Sequence, residues 1–341
     1  MIPSEAQNVG MGASSAIHDC LVVGAGPAGL SCAISLTQRD LSCLIVDQGC
    51  IVNSLHRYPT NMVFFSTPKL IEIGGTPMTS LGERPVRGEA LKYYRRVAEQ
   101  YQLDIVPYHR VSGVTGRAGD FAITAQDRYQ RLRQWRARTV VIAIGFYDLP
   151  VLMEVPGEDL PKVSHYYTDA HPYAGLEVAV VGGGNSAVIA ALELLEAGAR
   201  VRVVHRHEEV SSGVKYWLRP NFENRVRDGS IIAHYRSTIS AITPDAVIVQ
   251  SPEGERIIAN DAVLALTGYR PDFAWLEGVG VTIDRVSGRP HYDPATYESR
   301  TPGLYLAGTV TAGVHTSEIF IENGRHHGQS IAAAIARRLV H

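Results

Sequence analysis

Residues 19–47, DCLVVGAGPAGLSCAISLTQRDLSCLIVD, contain the stretch that decides the fold of this 341-residue chain. An apolar run at residues 19–23 is typical of a buried parallel strand. A glycine turn at 24–29, a helical stretch at 30–38 and a second strand at 42–46 follow it. Strand, G-x-G-x-x-G turn, helix and strand in this order predict a doubly wound α/β domain that binds a dinucleotide.

Each glycine of this turn has its own task. Gly24 permits the tight turn, Gly26 lets the backbone approach a pyrophosphate, and Gly29 lets the helix pack closely on the strand. The helix N-terminus attracts the phosphates through its unpaired N–H groups and its dipole. Asp47 follows the second strand, where a carboxylate accepts hydrogen bonds from a ribose.

The same unit recurs at residues 177–205, EVAVVGGGNSAVIAALELLEAGARVRVVH. The two copies align without a gap, so that Gly182 corresponds to Gly24 and Ala187 to Gly29. Chance glycine turns in ordinary α/β structure would not be expected to reproduce this register. The repeat therefore predicts two nucleotides, each in its own doubly wound domain.

The two copies differ at the end of the second strand. The first has Asp47, whose charge would repel a 2′-phosphate, whereas the second has His205-Arg206-His207. We therefore expect a nucleotide with free ribose hydroxyls in the first site and NADPH in the second. A metal site at His205 and His207 is the competing interpretation, but no third ligand is apparent nearby, so no metal is predicted.

The charge and the hydropathy of the chain indicate which classes of binding partner are not expected. The chain has 32 basic and 34 acidic side chains and a net charge of −2, which does not suit a protein that binds nucleic acid or an anionic membrane. Its longest apolar run, residues 20–36, is broken by glycines and a proline, so no membrane span is predicted. Residues 1–17 are predicted to be an N-terminal tail without a secretory signal.

The four cysteines lie in the first 50 residues and form neither C-x-x-C nor a zinc-ligand pattern. This use of cysteine is typical of a reducing cytoplasm. Cys32 lies one helical turn after Ala28 and is a candidate redox residue. Packing is the alternative role, because a small cysteine in a helix of an α/β fold is usually a packing residue.

A first copy with an acid and a second with His-Arg resembles the two-dinucleotide-binding flavoprotein superfamily. The segments VVIAIG at 140–145, VLALTG at 263–268 and GLYLAG at 303–308 resemble the domain crossings and the C-terminal FAD strand of that superfamily. The resemblance implies FAD in the first site and NADPH in the second, with the NADPH domain inserted into a split FAD domain. The expected domains are the tail at 1–17, the FAD domain at 18–155 and 271–341, and the NADPH domain at 156–270.

Within that superfamily the chain resembles in its length the low-molecular-weight thioredoxin reductases, whose C-x-x-C dithiol precedes the second glycine turn. His165 and Thr168 stand where those two cysteines would, so thioredoxin reduction is excluded for lack of a sulfur relay. Both residues are candidate catalytic residues for the nicotinamide or acceptor pocket. They are equally well explained as ordinary interface residues, and the flavin itself is the expected electron carrier.

Several segments resemble the bacillithiol disulfide reductase-like proteins over nearly the whole chain. They are Asn53-Ser54, Tyr58-Pro59-Thr60, Phe64-Phe65-Ser66, Glu72-Ile73-Gly74, Arg84-Pro85-Val86-Arg87, Val214-Lys215-Tyr216-Trp217 and residues 318–325. That family typically carries a cysteine inside the first glycine turn, and Ala28 occupies the position here. A mixed disulfide with substrate at that position is therefore not available to this chain.

The cofactor-binding residues that we predict form two sets. For FAD they are Gly24, Gly26, Pro27, Ala28, Gly29, Asp47, Gln48, Asn53, Gly145, Gly308, Thr309 and Ile319. For NADPH they are Gly182, Gly184, Asn185, Ser186, Ala187, His205, Arg206, His207 and Lys215. A solvated basic face is the alternative role for Lys215.

Three functions stay open at this point. The first is an NADPH-dependent flavoprotein that reduces a low-molecular-weight disulfide such as bacillithiol disulfide, which the resemblance implies. The second is a ferredoxin- or flavodoxin-NADP reductase, which has a small redox protein as its acceptor. The third is a flavin-holding binding or regulatory protein with only slow oxidase activity. The resemblance also implies a homodimer.

Overall fold

A computed structural model describes residues 16–340 of the chain. The predicted N-terminal tail lies outside the described residues apart from its last two positions. The described chain divides into two compact units. Unit 1 consists of three segments, which are the residues up to His56, Val63–Leu149 and the residues from Arg270 onward. Unit 2 consists of Arg57–Met62 and Pro150–Tyr269.

The first stretch of unit 1 alternates strands and helices and then forms an antiparallel meander. Its elements are β1 (Ile17–Val23), α1 (Pro27–Thr37), β2 (Cys43–Val46), α2 (Asn53–His56), α3 (Pro68–Ile71), α4 (Arg87–Gln100), β3 (Asp104–Val106), β4 (His109–Arg117), β5 (Asp120–Asp127), β6 (Leu132–Ile142) and β7 (Leu149–Pro150).

Unit 2 repeats the alternation around its own sheet. Its elements are β8 (Val163–Ser164), β9 (Glu177–Val181), α5 (Asn185–Glu196), β10 (Arg200–Val204), α6 (Arg219–Arg227), β11 (Ile231–His234), β12 (Thr238–Ile242), β13 (Ala246–Ser251), β14 (Gly254–Ala259), β15 (Ala262–Ala265) and β16 (Tyr269–Arg270). The chain then returns to unit 1 with α7 (Phe273–Gly278), β17 (Leu304–Leu306), α8 (Ile321–Gly324) and α9 (His327–Val340).

The sheet of unit 1 runs β3-β2-β1-β6-β5-β4, and β17 pairs with β6. Strands β1, β2, β3, β6 and β17 are parallel, whereas β4 and β5 join β6 in antiparallel fashion. Apolar side chains such as Leu21, Ile142 and Leu306 are fully buried in its core. Runs of apolar residues without polar alternation form these strands because helices or loops cover both faces of a parallel sheet.

The main sheet of unit 2 is parallel, with the order β11-β10-β9-β15-β8, beside a separate antiparallel sheet β12-β13-β14. Val180, Ala190 and Leu264 belong to its buried core. The predicted fold class, two Rossmann-like units with one inserted into the other's chain, is confirmed by this topology and by the structural comparisons given below.

The carboxyl ends of the parallel strands define the edge where a doubly wound sheet binds its ligand. Val23 pairs with Val46 at that edge in unit 1, and Val181 pairs with Val204 in unit 2. Each glycine turn and the residue after the second strand are therefore neighbours, as the repeat in the sequence predicts.

Candidate functional site

The first glycine turn connects β1 to α1 through two positions that admit no side chain. Gly24 has a φ of +110°, and a Cβ there would lie 2.5 Å from the carbonyl oxygen of Ala143. A Cβ on Gly29 would collide with the carbonyl oxygen of Gly24. The turn is further fixed by the Gly24 N–H, which donates to the Val46 carbonyl at 2.8 Å.

Gly26 differs from these two glycines because it borders open space. A Cβ on Gly26 would meet no atom within 4 Å. Gly26 is also the N-cap of α1, and Pro27 is the first residue of this helix. No side chain caps the first turn by a hydrogen bond. Backbone N–H groups at a helix N-terminus with room in front of them suit a pyrophosphate.

Asp47 is held beside this turn by two backbone groups. Its Oδ2 accepts from the Ala25 N–H at 2.6 Å, and its Oδ1 accepts from the Gly49 N–H at 2.7 Å. Burial raises the pKa of the Asp47 carboxyl, and these two hydrogen bonds oppose that rise. Each oxygen keeps a further lone pair, so the carboxylate can still accept a ribose hydroxyl.

The segment after β17 reaches the same edge of unit 1. A Cβ on Gly308 would lie 2.6 Å from the Cβ of Ala28, and one on Gly145 would lie 3.3 Å from the Thr309 hydroxyl. Gly324 packs against both Gly308 and Ile319 in the same way. The structure thus brings together the predicted FAD residues from the glycine turn, the chain after β6 and the chain after β17.

Two predicted FAD residues have partners that the sequence did not indicate. Gln48 is exposed, and its amide donates to Asp148 at 2.7 Å. Asn53 opens α2 and packs against Gly49, whose added Cβ would collide with the Asn53 amide.

Residues that the sequence did not single out as a group also contact this edge. The Gly308 N–H donates to Nδ1 of the buried His327 at 3.1 Å. The His327 ring stacks on Tyr297 at 4.1 Å between ring centroids, and Tyr297 stacks on Tyr292 at 5.7 Å. Burial lowers the pKa of His327 to about 4, so its ring is neutral and Nδ1 is free to accept.

A second unforeseen pair is formed by Ser66 and Glu322, because the Ser66 hydroxyl donates to Glu322 Oε1. The chain between these residues is long, and no local signal in the sequence links them.

The second glycine turn repeats the geometry of the first. Gly182 has a φ of +140°, its N–H donates to the Val204 carbonyl at 3.0 Å, and a Cβ there would collide with the Leu266 carbonyl oxygen. Gly184 caps α5 without a side-chain hydrogen bond and has no atom within 4 Å of an added Cβ. The open space at this helix N-terminus fits a second pyrophosphate.

The three residues after β10 lie beside that turn. The ring of His205 covers Gly183, at 2.5 Å from the position of an added Cβ, and packs edge-on against His207 at 5.2 Å. Burial, followed by the charges of His207 and Arg206, lowers the pKa of His205. Arg206 and His207 are exposed, which leaves their side chains accessible to a phosphate.

The remaining predicted NADPH residues surround the N-terminus of α5. Ser186 is exposed, Ala187 is buried, and Asn185 forms hydrogen bonds with the chain near Lys215. Lys215 lies four residues before Arg219, where α6 begins, and its carbonyl accepts from the Arg219 N–H at 3.1 Å. Arg219 is engaged with Glu209 and Glu223, each at 2.7 Å.

The segment that replaces the C-x-x-C dithiol is firmly held within unit 2. His165 Nε2 lies 3.4 Å from Glu158 Oε1, and the His165 carbonyl accepts from the Tyr269 hydroxyl at 2.8 Å. The Thr168 carbonyl accepts from the Thr60 N–H at 2.8 Å, and its side chain is exposed. These contacts account for a structural role, and the catalytic role stays a prediction.

Cys32 is fully buried within α1. Burial, together with Cys20, raises the pKa of its thiol far above the ordinary value. Thiol chemistry requires an accessible thiolate, so the structure argues against Cys32 as a redox residue. All four cysteines are free, and no group of three metal-ligating side chains occurs within residues 16–340.

Residues 21–308 match the sequence profile of the pyridine nucleotide-disulphide oxidoreductases. Bacilliredoxin reductase Bdr of Bacillus subtilis strain 168 is 43% identical to this chain over 324 residues, which cover 94% of this chain and 98% of that protein. The ferredoxin–NADP reductase of Ignicoccus hospitalis is 25% identical over 86% of this chain and 90% of its own length.

Solved structures agree with this result. Bacillithiol disulfide reductase Bdr from Bacillus cereus superposes with a TM-score of 0.93 at 40% identity and covers 95% of this chain and 100% of its own. Thioredoxin reductase from T. acidophilum, at 21% identity and a TM-score of 0.75, shares the fold over 95% of this chain and 99% of its own. The resemblance stated from the sequence is confirmed.

Proposed function

The chain belongs to the family of pyridine nucleotide-disulphide oxidoreductases, and from that premise we propose that it reduces a low-molecular-weight disulfide, such as bacillithiol disulfide, with electrons from NADPH. The net reaction converts NADPH, a proton and one disulfide into NADP⁺ and two thiols. The observation that carries the proposal is the pair of register-matched glycine turns, each with an open cradle, at Gly26 and Gly184.

The chain is an oxidoreductase with FAD and NADPH as its cofactors. When bound, FAD would supply the two-electron redox chemistry that links NADPH to the acceptor. We assign FAD to unit 1, where the N–H groups at the start of α1 and the carboxylate of Asp47 hold phosphate and ribose. We assign NADPH to unit 2, where Arg206 and His207 hold the 2′-phosphate.

The residues of unit 1 that lie near Gly308 orient the flavin rather than supply a thiol. Ala28 occupies the position of the family's cysteine, and the thiol of Cys32 is buried and inaccessible. The neutral His327 fixes the Gly308 N–H. The proton that the net reaction consumes comes from solvent.

Two relatives, bacilliredoxin reductase Bdr of Bacillus subtilis and bacillithiol disulfide reductase Bdr of Bacillus cereus, support a disulfide as the acceptor. The more distant ferredoxin–NADP reductases, together with Ala28, make a small redox protein the second candidate acceptor. No helix among residues 16–340 is both long and apolar enough to cross a membrane. We propose that the enzyme acts in the cytoplasm, which its free cysteines support. We also propose that it is a homodimer, as the resemblance stated from the sequence implies, and light scattering can test this oligomeric state.

Anaerobic stopped-flow measurement tests the proposed function. The FAD-loaded protein is mixed with NADPH, and loss of the oxidised flavin absorbance is followed. Bacillithiol disulfide is then added to one portion and oxidised ferredoxin to another. Rapid bleaching and reoxidation by the disulfide are expected. Reoxidation of the flavin by ferredoxin but not by the disulfide would favour a small redox protein as the acceptor. A flavin that NADPH does not bleach would contradict both candidate functions.

A further inference from the structure

Residues 211–217, SSGVKYW, lie along the second glycine turn. The Ser211 N–H donates to the Gly183 carbonyl at 2.8 Å. Val210 and Val214 are buried in the core of unit 2, so the segment is anchored both before and within this stretch. Its path beside the turn is thus set by backbone contact and by packing.

Asn185, the first residue of α5, uses both ends of its side-chain amide to hold the same segment. Its Nδ2 donates to the Gly213 carbonyl at 3.0 Å, and its Oδ1 accepts from the Lys215 N–H at 3.0 Å. An amide that donates and accepts at once fixes both distance and orientation. The side chain of Asn185 is therefore occupied by the protein rather than directed at a ligand.

The first nucleotide unit shows that this arrangement is not a requirement of the fold. In that unit the Val52 N–H donates to the Ala25 carbonyl at 3.0 Å, which matches the bond from Ser211 to Gly183. Pro27 stands in the register of Asn185, and proline has no side-chain donor or acceptor. The amide clamp thus belongs to the second unit alone, where the ligand differs.

The clamped segment presents aromatic side chains directly after its bond to Asn185. Tyr216 is 80% exposed, and its ring packs edge-on against Trp217 at 4.9 Å. A tyrosine has few rotatable bonds, and an aromatic ring fixed beside a nucleotide site can stack on a base at little entropic cost. An exposed tyrosine on a held backbone is otherwise unexplained by the packing of unit 2.

We propose that Asn185 is a positioning residue that fixes residues 211–217 beside the second glycine turn, so that Tyr216 stacks on an aromatic ring of the bound pyridine nucleotide. This inference rests on the proposed function, because it takes NADPH as the ligand of unit 2. In this inference Asn185 promotes nucleotide binding by holding the segment that carries Tyr216. The side chain of Asn185 does not itself contact the nucleotide.

Calorimetric titration of the FAD-loaded protein with NADP⁺ tests the inference, since NADP⁺ binds without reducing the flavin. Tyr216→Ala is expected to raise the Kd by about tenfold, the usual effect of losing one stacked ring. Tyr216→Phe keeps the ring and is expected to bind as the wild type does. Asn185→Ala should raise the Kd to a similar extent, and the double variant should lose less than the product of the two single effects.

Kinetics separate positioning from general damage. Both alanine variants should raise the KM for NADPH in flavin reduction while the rate at saturating NADPH stays within about twofold, as expected when uniform binding is lost. Tyr129→Ala is the matched control, because Tyr129 is 70% exposed in the other unit and is not implicated in either site.

The possible results distinguish failure of this inference from failure of the proposed function. An unchanged Kd in Tyr216→Ala would overturn the stacking role, and an unchanged Kd in Asn185→Ala would overturn the positioning role. If the wild-type protein takes up no NADP⁺, the proposed function and this inference are both wrong. If it binds NADP⁺ and reduces its flavin while both variants match it, the inference alone is wrong.

Discussion

The methyl group of Ala28 lies against Gly308, close enough that a Cβ on Gly308 would come within 2.6 Å of it. Gly308 has a φ of +74°, so its backbone also favours glycine. The first glycine turn and the chain after β17 therefore meet where Gly308 cannot take a side chain without displacing Ala28. Ala28 is half-buried at this point, and it stands where the family typically has a cysteine.

Restoring that cysteine tests whether the position still supports thiol chemistry. We expect the thiol of Ala28→Cys to be alkylated by iodoacetamide at neutral pH about tenfold faster than that of Cys50, because a helix N-terminus lowers a thiol pKa. Burial raises the pKa of the Cys50 thiol in the same unit, which makes it the internal reference. Mass spectrometry of the alkylated peptides measures both rates.

Ser186→Cys is the matched variant, since Ser186 has the same register in the second unit. Its thiol should also react quickly. Only the thiol of Ala28→Cys should attack bacillithiol disulfide to give a mixed disulfide and one released thiol, and two electrons from NADPH should then reduce that mixed disulfide and release the second thiol. A thiol at Ala28 that reacts no faster than Cys50 would contradict the assigned electrostatics.

Gly308→Ala is expected to abolish FAD retention. The added methyl group meets Ala28, and the left-handed backbone adds strain, so the loss of unfolding free energy should exceed about 2 kcal/mol. Gly175→Ala separates the two effects, because Gly175 has a φ of +78° and no atom within 4 Å of an added Cβ. Urea unfolding and the ratio of FAD to protein measure the difference, and equal behaviour of the two variants would contradict it.

His327 should make the stability of the protein depend on pH. Its pKa is lowered to about 4 from an ordinary 6.5, so the unfolded chain binds the proton more readily than the folded protein. The stability contributed by the neutral ring is complete above pH 6.5 and is lost as the pH falls towards 4. The shift corresponds to about 3 kcal/mol.

His327→Asn keeps an acceptor near the Gly308 N–H and cannot titrate. The difference in unfolding free energy between the wild type and this variant, measured by urea unfolding, should therefore shrink or reverse between pH 7 and pH 4. A constant difference across that range would show that His327 is not the titrating group.

Arg206→Ala should weaken the use of NADPH and spare that of NADH. Loss of a hydrogen-bonded charge pair with the 2′-phosphate is expected to raise the KM for NADPH by about tenfold or more. Steady-state kinetics with both nucleotides measure the effect. Arg200→Ala is the control, because Arg200 lies at the opposite end of β10 and pairs with Glu177. An equal rise in the KM for NADH would show that Arg206 does not bind the 2′-phosphate.

The two nucleotide units were predictable from the sequence because their signals are local. Glycine spacing, strand hydrophobicity and the residue after the second strand all lie within one short stretch, as for Gly24 and Asp47. The structure places both at one edge, joined through the Ala25 N–H. Their role in binding FAD stays a prediction.

Contacts between distant segments were not predictable in this way. Ser66 meets Glu322, and His327 meets Tyr297, only because loops without regular periodicity return to the sheet edge. Hydrophobic patterning carries no information on where such loops end. The hydrogen bonds of Asn185 to residues 211–217 were missed for a different reason, since an asparagine at a helix start ordinarily reads as a capping residue.

The pairing of β17 with β6 has a consequence for the order of folding during synthesis. Leu304 pairs with Val140, so the sheet of unit 1 stays incomplete until the ribosome has released the chain beyond residue 306. Every strand of unit 2 has emerged well before then. The inserted unit can therefore complete its core first, and the nascent unit 1 must keep the exposed edge of β6 from pairing wrongly until its last strand arrives.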